Sequence, residues 1–356
     1  RTAVNAETGD VWIANRDSGD ITKLDINGTL LKTCAIGGGP RGLAIEQNGD
    51  VWVANSLDGN AKKISGDDES CAILQTVNLG GYPYGLAIDG DNNVWVANRG
   101  KGVIQKINTA TNTLDPKSYA APGIYGITVD KSNNVWAGKS GNGSGVYKIV
   151  YNSNTILNPL LNGYRTTGAT SDLEGNIWVS AYYDNRVLKV GQDGSLLKNL
   201  DSGGLNPHGI CGDSAGQVWA VNQNLSSSNM SAFDLSGAIL GIYPVRPGVA
   251  VEPYTYSDMT GLNRAMVLRS GDWQSGANGV FNSGFDNQHW GNVSSTKNIS
   301  NINKQSIEIF LRASNDSSFT GDDFISETDW NNLNFTDDQK TGKYLQIKAV
   351  LKSREM

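Results

Sequence analysis

The chain has 356 residues and a net charge of −6, and 18% of its residues are charged. This length allows two domains with sizeable cores, and the acidity argues against nucleic acid as a partner, because phosphate contacts need a basic face. No apolar run of 18 residues is present, which argues against a membrane span. Since the chain starts at Arg1 rather than Met, we expect a processed product or a fragment.

The composition favours strands over helices. Glycine accounts for 43 residues, and Asn, Ser and Thr supply much of the remaining polarity. Such a mixture suits short strands joined by tight turns. No long segment has apolar residues at positions i, i+3, i+4 and i+7, so the sequence predicts almost no helix.

A motif of the form VWVAN recurs along the first two thirds of the chain. Its tryptophans are Trp12, Trp52, Trp95, Trp136, Trp178 and Trp219, which stand 40 to 43 residues apart. A Gly step and a short apolar strand precede most copies, as in RGLAIE and YGLAID, and two further strands follow. Four strands in a unit of this length predict one propeller blade, so the chain is predicted to be all-β with a six-bladed β-propeller over residues 1–258.

Two segments compete for the closure of the ring. RTAVNAETGD at residues 1–10 resembles a first strand, and so does EPYTYSD at 252–258, where Pro253-Tyr254 matches Pro83-Tyr84. One copy closes the ring and the other is a lead-in, and the sequence leaves open which. After residue 261 the repeat stops, and the alternating runs of residues 262–356 predict a small antiparallel β-sandwich.

The three cysteines, Cys34, Cys71 and Cys211, form no CxxC pair, and their number is odd. Cys211 takes the place that Ala87 holds in an earlier blade, which is typical of a small core residue. We therefore expect three structural thiols and no disulfide framework.

The pattern PxG(I/L)AxDxxGNVWVAN resembles the six-bladed NHL-type propellers and, more narrowly, the group around virginiamycin B (streptogramin) lyase. The resemblance covers about residues 1–258 and implies the propeller fold. It also implies export from a bacterial cell and, for the lyases, a magnesium-assisted site with His and Glu near one mouth of the channel. His208, in NPHGI, matches that pattern.

Two departures from the lyase pattern argue against catalysis. A second histidine within the propeller is missing, and amides hold the places where the lyases have carboxylates. An amide takes no proton at neutral pH and is a poor sole partner for Mg²⁺. The sequence therefore predicts no catalytic residue, no metal and no cofactor, although the question of an enzyme stays open.

The residues that precede the first-strand glycines are expected to surround one mouth of the central channel. The loops after each VWxAN strand open on the same face. Such a concave, chemically mixed ring is typical of small-molecule or glycan sites. The candidate ligand-binding residues are Arg41, Tyr84, Tyr125, His208, Tyr254, Asn55, Asn98 and Asn222. The alternative is that the amides only satisfy loop backbone.

Three other patterns have simpler explanations. DGDNN at 89–93 starts like a calcium loop but lacks the completing Glu, so a hairpin turn is expected. The lysines at one recurring position of five blades are predicted to pack their stems between blades with the amines in water. These are Lys23, Lys63, Lys106, Lys148 and Lys189. His289 and Trp290 belong either to the second core or to a sugar site.

The sequence thus predicts a non-catalytic, exported or cell-surface propeller protein of bacterial type that serves recognition or structural assembly. Its candidate partners are a glycan, peptide or small ligand at the channel mouth, and other protein copies through the sandwich. The alternatives are a subunit of an extracellular layer or filament and, less favoured by the residues, a streptogramin-lyase-like enzyme.

Overall fold

Six antiparallel sheets of four strands follow one another along the chain, each built by consecutive strands in sequence order. A computed structural model describes residues 2–5, 8–46, 48–66, 70–140, 144–213, 215–224, 228–246, 251–255, 272–274, 281–282, 305–314, 324–332 and 344–353. We number the sheets as blades 1 to 6. None of the helices in this described part is long and apolar enough to cross a membrane.

The strands of each blade have nearly constant lengths. Blade 1 contains β1 (Thr2–Val4), β2 (Val11–Asn15), β3 (Asp20–Leu24) and β4 (Leu30–Ala35). Blade 2 contains β5 (Pro40–Ile45), β6 (Val51–Asn55), β7 (Asn60–Ile64) and β8 (Ile73–Asn78). Blade 3 contains β9 (Pro83–Ile88), β10 (Val94–Asn98), β11 (Val103–Asn108) and β12 (Thr113–Ala120).

The second half of the ring repeats this order. Blade 4 contains β13 (Ile124–Val129), β14 (Val135–Lys139), β15 (Val146–Val150) and β16 (Thr155–Leu160). Blade 5 contains β17 (Thr166–Ser171), β18 (Ile177–Ala181), β19 (Arg186–Val190) and β20 (Leu196–Asp201). Blade 6 contains β21 (Pro207–Gly212), β22 (Val218–Asn222), β23 (Asn229–Phe233) and β24 (Ile239–Pro244).

Burial falls from the first strand of a blade to the fourth. Every residue of β5 and β6 is buried, whereas most of β8 is exposed. The first strands of successive blades lie side by side, and the second strands of blades 1 to 5 also contact the first strand of the next blade. The apolar face of one sheet is therefore covered by its neighbour, and the predicted all-β, six-bladed propeller is confirmed.

A carboxylate bound to the tryptophan indole organises blades 2 to 6. The acid stands six residues before the tryptophan and accepts a hydrogen bond from the indole N–H. The pairs are Glu46–Trp52, Asp89–Trp95, Asp130–Trp136, Asp172–Trp178 and Asp213–Trp219. In blade 4 the second carboxylate oxygen of Asp130 accepts the backbone N–H groups of Ser132 and Asn134, both at 2.9 Å. One side chain thus ties the hairpin turn to the core.

The recurring lysines lie directly across from the tryptophans, as Lys148 does from Trp136. The Lys148 Nζ is 4.7 Å from the Trp136 ring centre and donates to the Gln192 carbonyl. Lys189 is 6% exposed and lies 3.3 Å from the Asp172 carboxylate. The prediction that these amines lie in water is wrong for both lysines, because buried acceptors are within reach.

First-strand glycines allow the next first strand to approach closely, and they stand in blades 2, 3, 5 and 6 as Gly42, Gly85, Gly168 and Gly209. A Cβ on Gly42 would lie 2.5 Å from the Tyr84 carbonyl oxygen, and one on Gly168 would lie 2.7 Å from that of His208. No residue other than Gly fits such a gap without backbone movement. The recurring Gly step is therefore a packing requirement of the ring.

Both candidate first-strand segments take part at the closure of the ring. Thr2–Val4 pairs with β2, with Ala3 opposite Trp12. Residues 251–255 lie beside β21, where the Thr255 carbonyl oxygen would be 2.6 Å from a Cβ on Gly209. This segment therefore lies against blade 6 as one first strand lies against the next, and neither copy is a mere lead-in.

Two of the three cysteines form a disulfide, so the expectation of three thiols is wrong for them. Cys34 of β4 is joined to Cys71, which precedes β8, with a Cα–Cα distance of 5.4 Å. The bond connects the outer parts of blades 1 and 2. Cys211 is a buried thiol in β21.

Residues 1–268 and 269–356 form two compact units. The predicted domain boundaries at 258 and 262 lie outside the described residues. The described strands of the second unit form one antiparallel sheet of β25 (Asp272–Gln274), β26 (Phe281–Asn282), β27 (Gln305–Ser314), β28 (Ile325–Ser326) and β29 (Tyr344–Ser353). Helix α1 (Glu327–Asn332) buries Trp330 with Leu311 and Leu345.

The β-sandwich stays a prediction, because the described residues of this unit supply a single sheet. His289 and Trp290 lie outside the described residues.

We predict that Asp130→Ala lowers the free energy of unfolding by about 3 kcal/mol, because it leaves the Trp136 indole and two turn N–H groups without an acceptor. Asp25→Ala is the matched control, since Asp25 accepts two N–H groups in an exposed turn but binds no indole. Urea unfolding measures both. Equal losses in the two variants would contradict the role assigned to the indole bond.

Candidate functional site

The sequence-predicted residues Tyr84, Tyr125, His208 and Tyr254 come together at one end of the propeller channel. We call this the mouth end; there the first strands begin and the second strands end. The Tyr84, Tyr125 and His208 side chains are 1%, 5% and 3% exposed, and Tyr254 is half-buried. The four side chains form a floor across the mouth end, because β9 adjoins β13, residues 251–255 adjoin β21, and the four side chains meet at the channel.

Hydrogen bonds between hydroxyls hold this floor together. The Tyr84 and Tyr125 hydroxyl oxygens are 2.9 Å apart, and both lie in contact with the hydroxyl of Tyr254. Tyr254 belongs to residues 251–255, so the closing segment contributes directly to the floor. Buried hydroxyls need partners, and here each supplies the others.

His208 is held on both sides of its ring. Its Nδ1 lies 2.9 Å from the Thr255 carbonyl oxygen, which can only accept, so Nδ1 carries the proton. In the neutral ring Nε2 then accepts from the Tyr125 hydroxyl, 3.1 Å away. The histidine thus joins the closing segment to the tyrosine floor.

Two arginines lie against the faces of the floor tyrosines. The Arg41 guanidinium is 4.5 Å from the Tyr84 ring centre and donates to the Ser56 hydroxyl at 3.1 Å and the Tyr82 hydroxyl at 2.6 Å. Arg99, which is exposed, lies 5.0 Å from the Tyr125 ring centre. Cation–π contact therefore gives the floor a positively charged edge.

A row of aromatic rings continues from the floor to the other side of the mouth. The ring centres of His208 and Tyr182 are 5.4 Å apart, and those of Tyr182 and Tyr183 are 4.9 Å apart. The Arg165 guanidinium lies 3.9 Å from the Tyr183 ring centre. Tyr183 is 55% exposed, so the row presents an aromatic face to solvent.

Tyr82 and Arg165 were not among the predicted site residues. Tyr82 stands three positions before Gly85, and Arg165 stands three positions before Gly168. Floor residues stand one position before such a glycine, so Tyr82 and Arg165 precede the floor position by two residues. Attention to this position in each blade would have found them.

The three predicted amides are placed apart from the floor. Asn98 donates to the Gly80 carbonyl and the Gln105 side chain, both at 2.7 Å. Asn222 donates to the Ser202 carbonyl at 3.1 Å. The buried amide of Asn55 has no hydrogen-bond partner among the described residues. A role in ligand binding stays a prediction for all eight candidate residues.

The pKa values of Tyr125 in the floor and of Tyr82 beside it are shifted in opposite directions. Burial raises the pKa of Tyr125 far above its usual range, and the neighbouring hydroxyls of Tyr84 and Tyr254 raise it further. For Tyr82 burial opposes ionisation, but the hydrogen bond with Ser56 and the charge of Arg41 outweigh it and lower the pKa. The Tyr125 phenol is therefore neutral at pH 7, while the arginines give the edge of the floor a positive charge.

The model of the virginiamycin B lyase family matches residues 2–228 of the chain. The chain belongs to this family. Virginiamycin B lyase from Staphylococcus aureus is similar in structure, with a TM-score of 0.61 and 17% identity over 72% of this chain and 87% of that chain. A streptogramin B lyase has a TM-score of 0.60 and 20% identity over 71% of this chain and 85% of that chain.

Proteins outside the family share the fold as well. A chain of the nidogen/laminin complex has a TM-score of 0.52 and 14% identity, covering 70% of this chain and 96% of that chain. At these identities the likeness to solved structures shows the fold alone. A comparison with the curated proteins gives no match. The predicted membership of the virginiamycin B lyase-like propellers is confirmed.

The residues at the mouth end do not fit the magnesium site that the family resemblance implies. Both ring nitrogens of His208 are engaged within the protein. No group of three His, Cys, Asp or Glu side chains in the described part of the chain could hold a metal ion. Magnesium prefers carboxylate oxygens, and the hydroxyls of the floor are bonded to one another. We derive no chemical step through a metal.

We predict that Tyr125→Phe lowers the free energy of unfolding at pH 7 by about 1–2 kcal/mol, because His208 and two hydroxyls lose a partner. The pKa of Tyr125 is raised in the folded state. The stability that Tyr125 contributes is therefore fully present below the pKa of the unfolded state, near 10, and is lost as the pH rises from there toward the pKa of the folded state. The deficit of the variant should therefore shrink above about pH 10.

Urea unfolding between pH 7 and 11 measures this deficit. Tyr243→Phe is the control, since Tyr243 is 50% exposed on an outer strand. A deficit that stays constant across this range would contradict the assignment.

Proposed function

We propose that this protein recognises a ligand at the mouth end of its propeller and that it acts by binding rather than by catalysis. The observation that carries the proposal is the solvent-facing row of rings and guanidinium groups above a fully bonded floor. Aromatic faces beside arginine side chains are the groups that dominate recognition surfaces. A floor whose polar groups are already paired is rigid, so a ligand meets a pre-organised surface.

The arrangement of the floor favours binding over proton transfer. A general base needs a nitrogen or carboxylate within reach of a substrate proton. The Nε2 of His208 faces the Tyr125 hydroxyl, and the raised pKa of that hydroxyl keeps it protonated. Asn98 and Asn222 stand where the lyase resemblance would place carboxylates, and their amides bond within their own blades.

The test is binding of the full chain to arrays of glycans and peptides. Tyr183→Ala should weaken every bound probe about tenfold or more, because an exposed aromatic anchor is lost. Tyr243→Ala is the matched control, since the two tyrosines are 55% and 50% exposed but Tyr243 lies on the outer strand β24. Unchanged binding in Tyr183→Ala, or no binding to any probe, would contradict the proposal.

We further propose that the protein works outside the bacterial cytoplasm. The disulfide between Cys34 and Cys71 supports this location, because such bonds persist in oxidising compartments. Cell fractionation that finds the chain in the cytoplasm with both cysteines reduced would contradict it.

A second candidate function is assembly into an extracellular layer or filament, which the outermost strand of blade 6 favours. Ile239, Leu240 and Ile242 of β24 are 43%, 51% and 51% exposed, and the strand carries no charged residue. Among the described strands β24 pairs only with β23, so its other edge offers unpaired backbone groups. Apolar edges of this kind are templates for pairing with another chain.

If β24 supports assembly, sedimentation of the full chain should show association that rises with concentration, and Ile242→Lys should weaken it several-fold, because a charge blocks the edge. Leu197→Lys on β20 is the control, since Leu197 is 47% exposed beside an existing lysine. A monomer at every concentration, or equal association in both variants, would count against assembly through this strand.

A further inference from the structure

The arginines of the propeller are confined to its mouth end. In the described part of residues 2–246, every arginine lies in a mouth-end loop or at a strand terminus there: Arg16, Arg41, Arg99, Arg165, Arg186 and Arg246. The hairpin turns at the other end carry the indole-binding acids and further carboxylates. Within a net charge of −6 the guanidinium groups are therefore concentrated at one end of the propeller, which favours the approach of anions to the mouth.

Among the exposed arginines of this set, Arg99, Arg165 and Arg246 have no carboxylate partner within the described part of the chain, and only the first two lie against aromatic rings. Arg16 lies 3.5 Å from Asp17 and Arg186 lies 3.5 Å from Asp201. No described carboxylate or hydrogen-bond acceptor lies within bonding distance of the Arg99 or Arg165 guanidinium. Both are exposed, so their donors are available to an incoming group.

The stacking of these two arginines orients them for anion recognition. Arg99 lies against Tyr84 and Tyr125, and Arg165 lies against Tyr183. A guanidinium over a ring uses none of its N–H groups in conventional hydrogen bonds there, so these donors remain available to an anion. That planar fork matches carboxylate and sulfate groups, which a flexible lysine amine does not.

The row of rings separates the two arginines. Between Arg99 and Arg165 lie Tyr125, His208, Tyr182 and Tyr183, with consecutive ring centres 5.2, 5.4 and 4.9 Å apart. Arg99 follows β10 of blade 3 and Arg165 precedes β17 of blade 5, so the two arginines lie on either side of blade 4. A ligand that uses both arginines carries more than one anionic group, together with faces that stack on the rings.

We infer that the ligand of the proposed recognition site is an acidic glycan, an oligosaccharide with carboxylate or sulfate groups spaced along it. This inference rests on the proposed function and specifies its ligand class. Sugar rings present C–H faces to the tyrosines and hydroxyls to polar side chains. An extended peptide is less well matched, because the described strands end at the mouth and none of them presents an open edge there for backbone pairing.

The test is calorimetric titration of the full chain with an oligogalacturonate, a heparin-derived oligosaccharide, maltohexaose and hexaglutamate. We expect one or both acidic glycans to bind, with affinity that falls as salt rises, and maltohexaose to bind at least tenfold more weakly. Arg99→Gln and Arg165→Gln should each weaken binding about tenfold, because each loses a charge-assisted contact.

Lys198→Gln is the matched control, since it removes the same charge from an exposed position of β20. Arg99→Lys separates charge from geometry: it should restore only part of the affinity. Circular dichroism before and after heating establishes that each variant is folded.

The outcomes separate the two proposals. Equal binding of maltohexaose and the acidic glycans, or unchanged affinity in both Gln variants, would overturn the inference while the recognition function stands. Binding of hexaglutamate alone would overturn the glycan class and leave an anion-binding mouth. Failure of all four probes, together with no effect of Tyr183→Ala on any arrayed probe, would remove the proposed function itself.

Discussion

The hydrogen bond between a buried carboxylate and the tryptophan indole is the interaction on which the propeller depends. In blade 4 the Asp130 carboxylate accepts hydrogen bonds from the Trp136 indole N–H and from two backbone N–H groups of its own hairpin turn. A tryptophan large enough to fill the space between sheets brings a donor into the core, and a buried donor without an acceptor is costly. The turn and the core are therefore specified together, which makes the hairpin end of every such blade nearly invariant in form.

Packing fixes the residues at the hairpin end of each blade, so the side chains that differ from blade to blade lie at the mouth end. The first-strand glycines bring successive blades so close that the side chains preceding them converge, as Tyr84, Tyr125 and His208 do. Convergent polar side chains that exclude water must satisfy one another, which is the physical origin of the hydroxyl floor. Side chains in the neighbouring mouth-end loops, such as Arg99, Arg165 and Tyr183, escape this constraint and remain open to solvent.

Much of the fold could be predicted from the sequence, since the tryptophan spacing and the Gly step each report a regular packing requirement. The grouping of Tyr84, Tyr125, His208 and Tyr254 was also predictable, because all hold one repeat position. The Cys34–Cys71 bond was not, since it joins two blades at unequal positions and follows no period. The contacts of Asn98 and Asn222 depend on the local loop of each blade, and a repeat alone does not encode them.

The distinction between the buried floor and the exposed rim, which consists of Arg99, Arg165 and Tyr183, determines which residues are available for recognition. A floor side chain such as Tyr125 has its hydroxyl engaged and its phenol held neutral by burial, so binding a ligand there would require breaking existing bonds. A rim side chain such as Tyr183 loses only water when it is covered. The floor residues, which share one repeat position and are therefore easy to find in the sequence, thus give the mouth its shape and rigidity. Arg99, Arg165 and Tyr183 have the exposure and charge that are needed to discriminate between ligands.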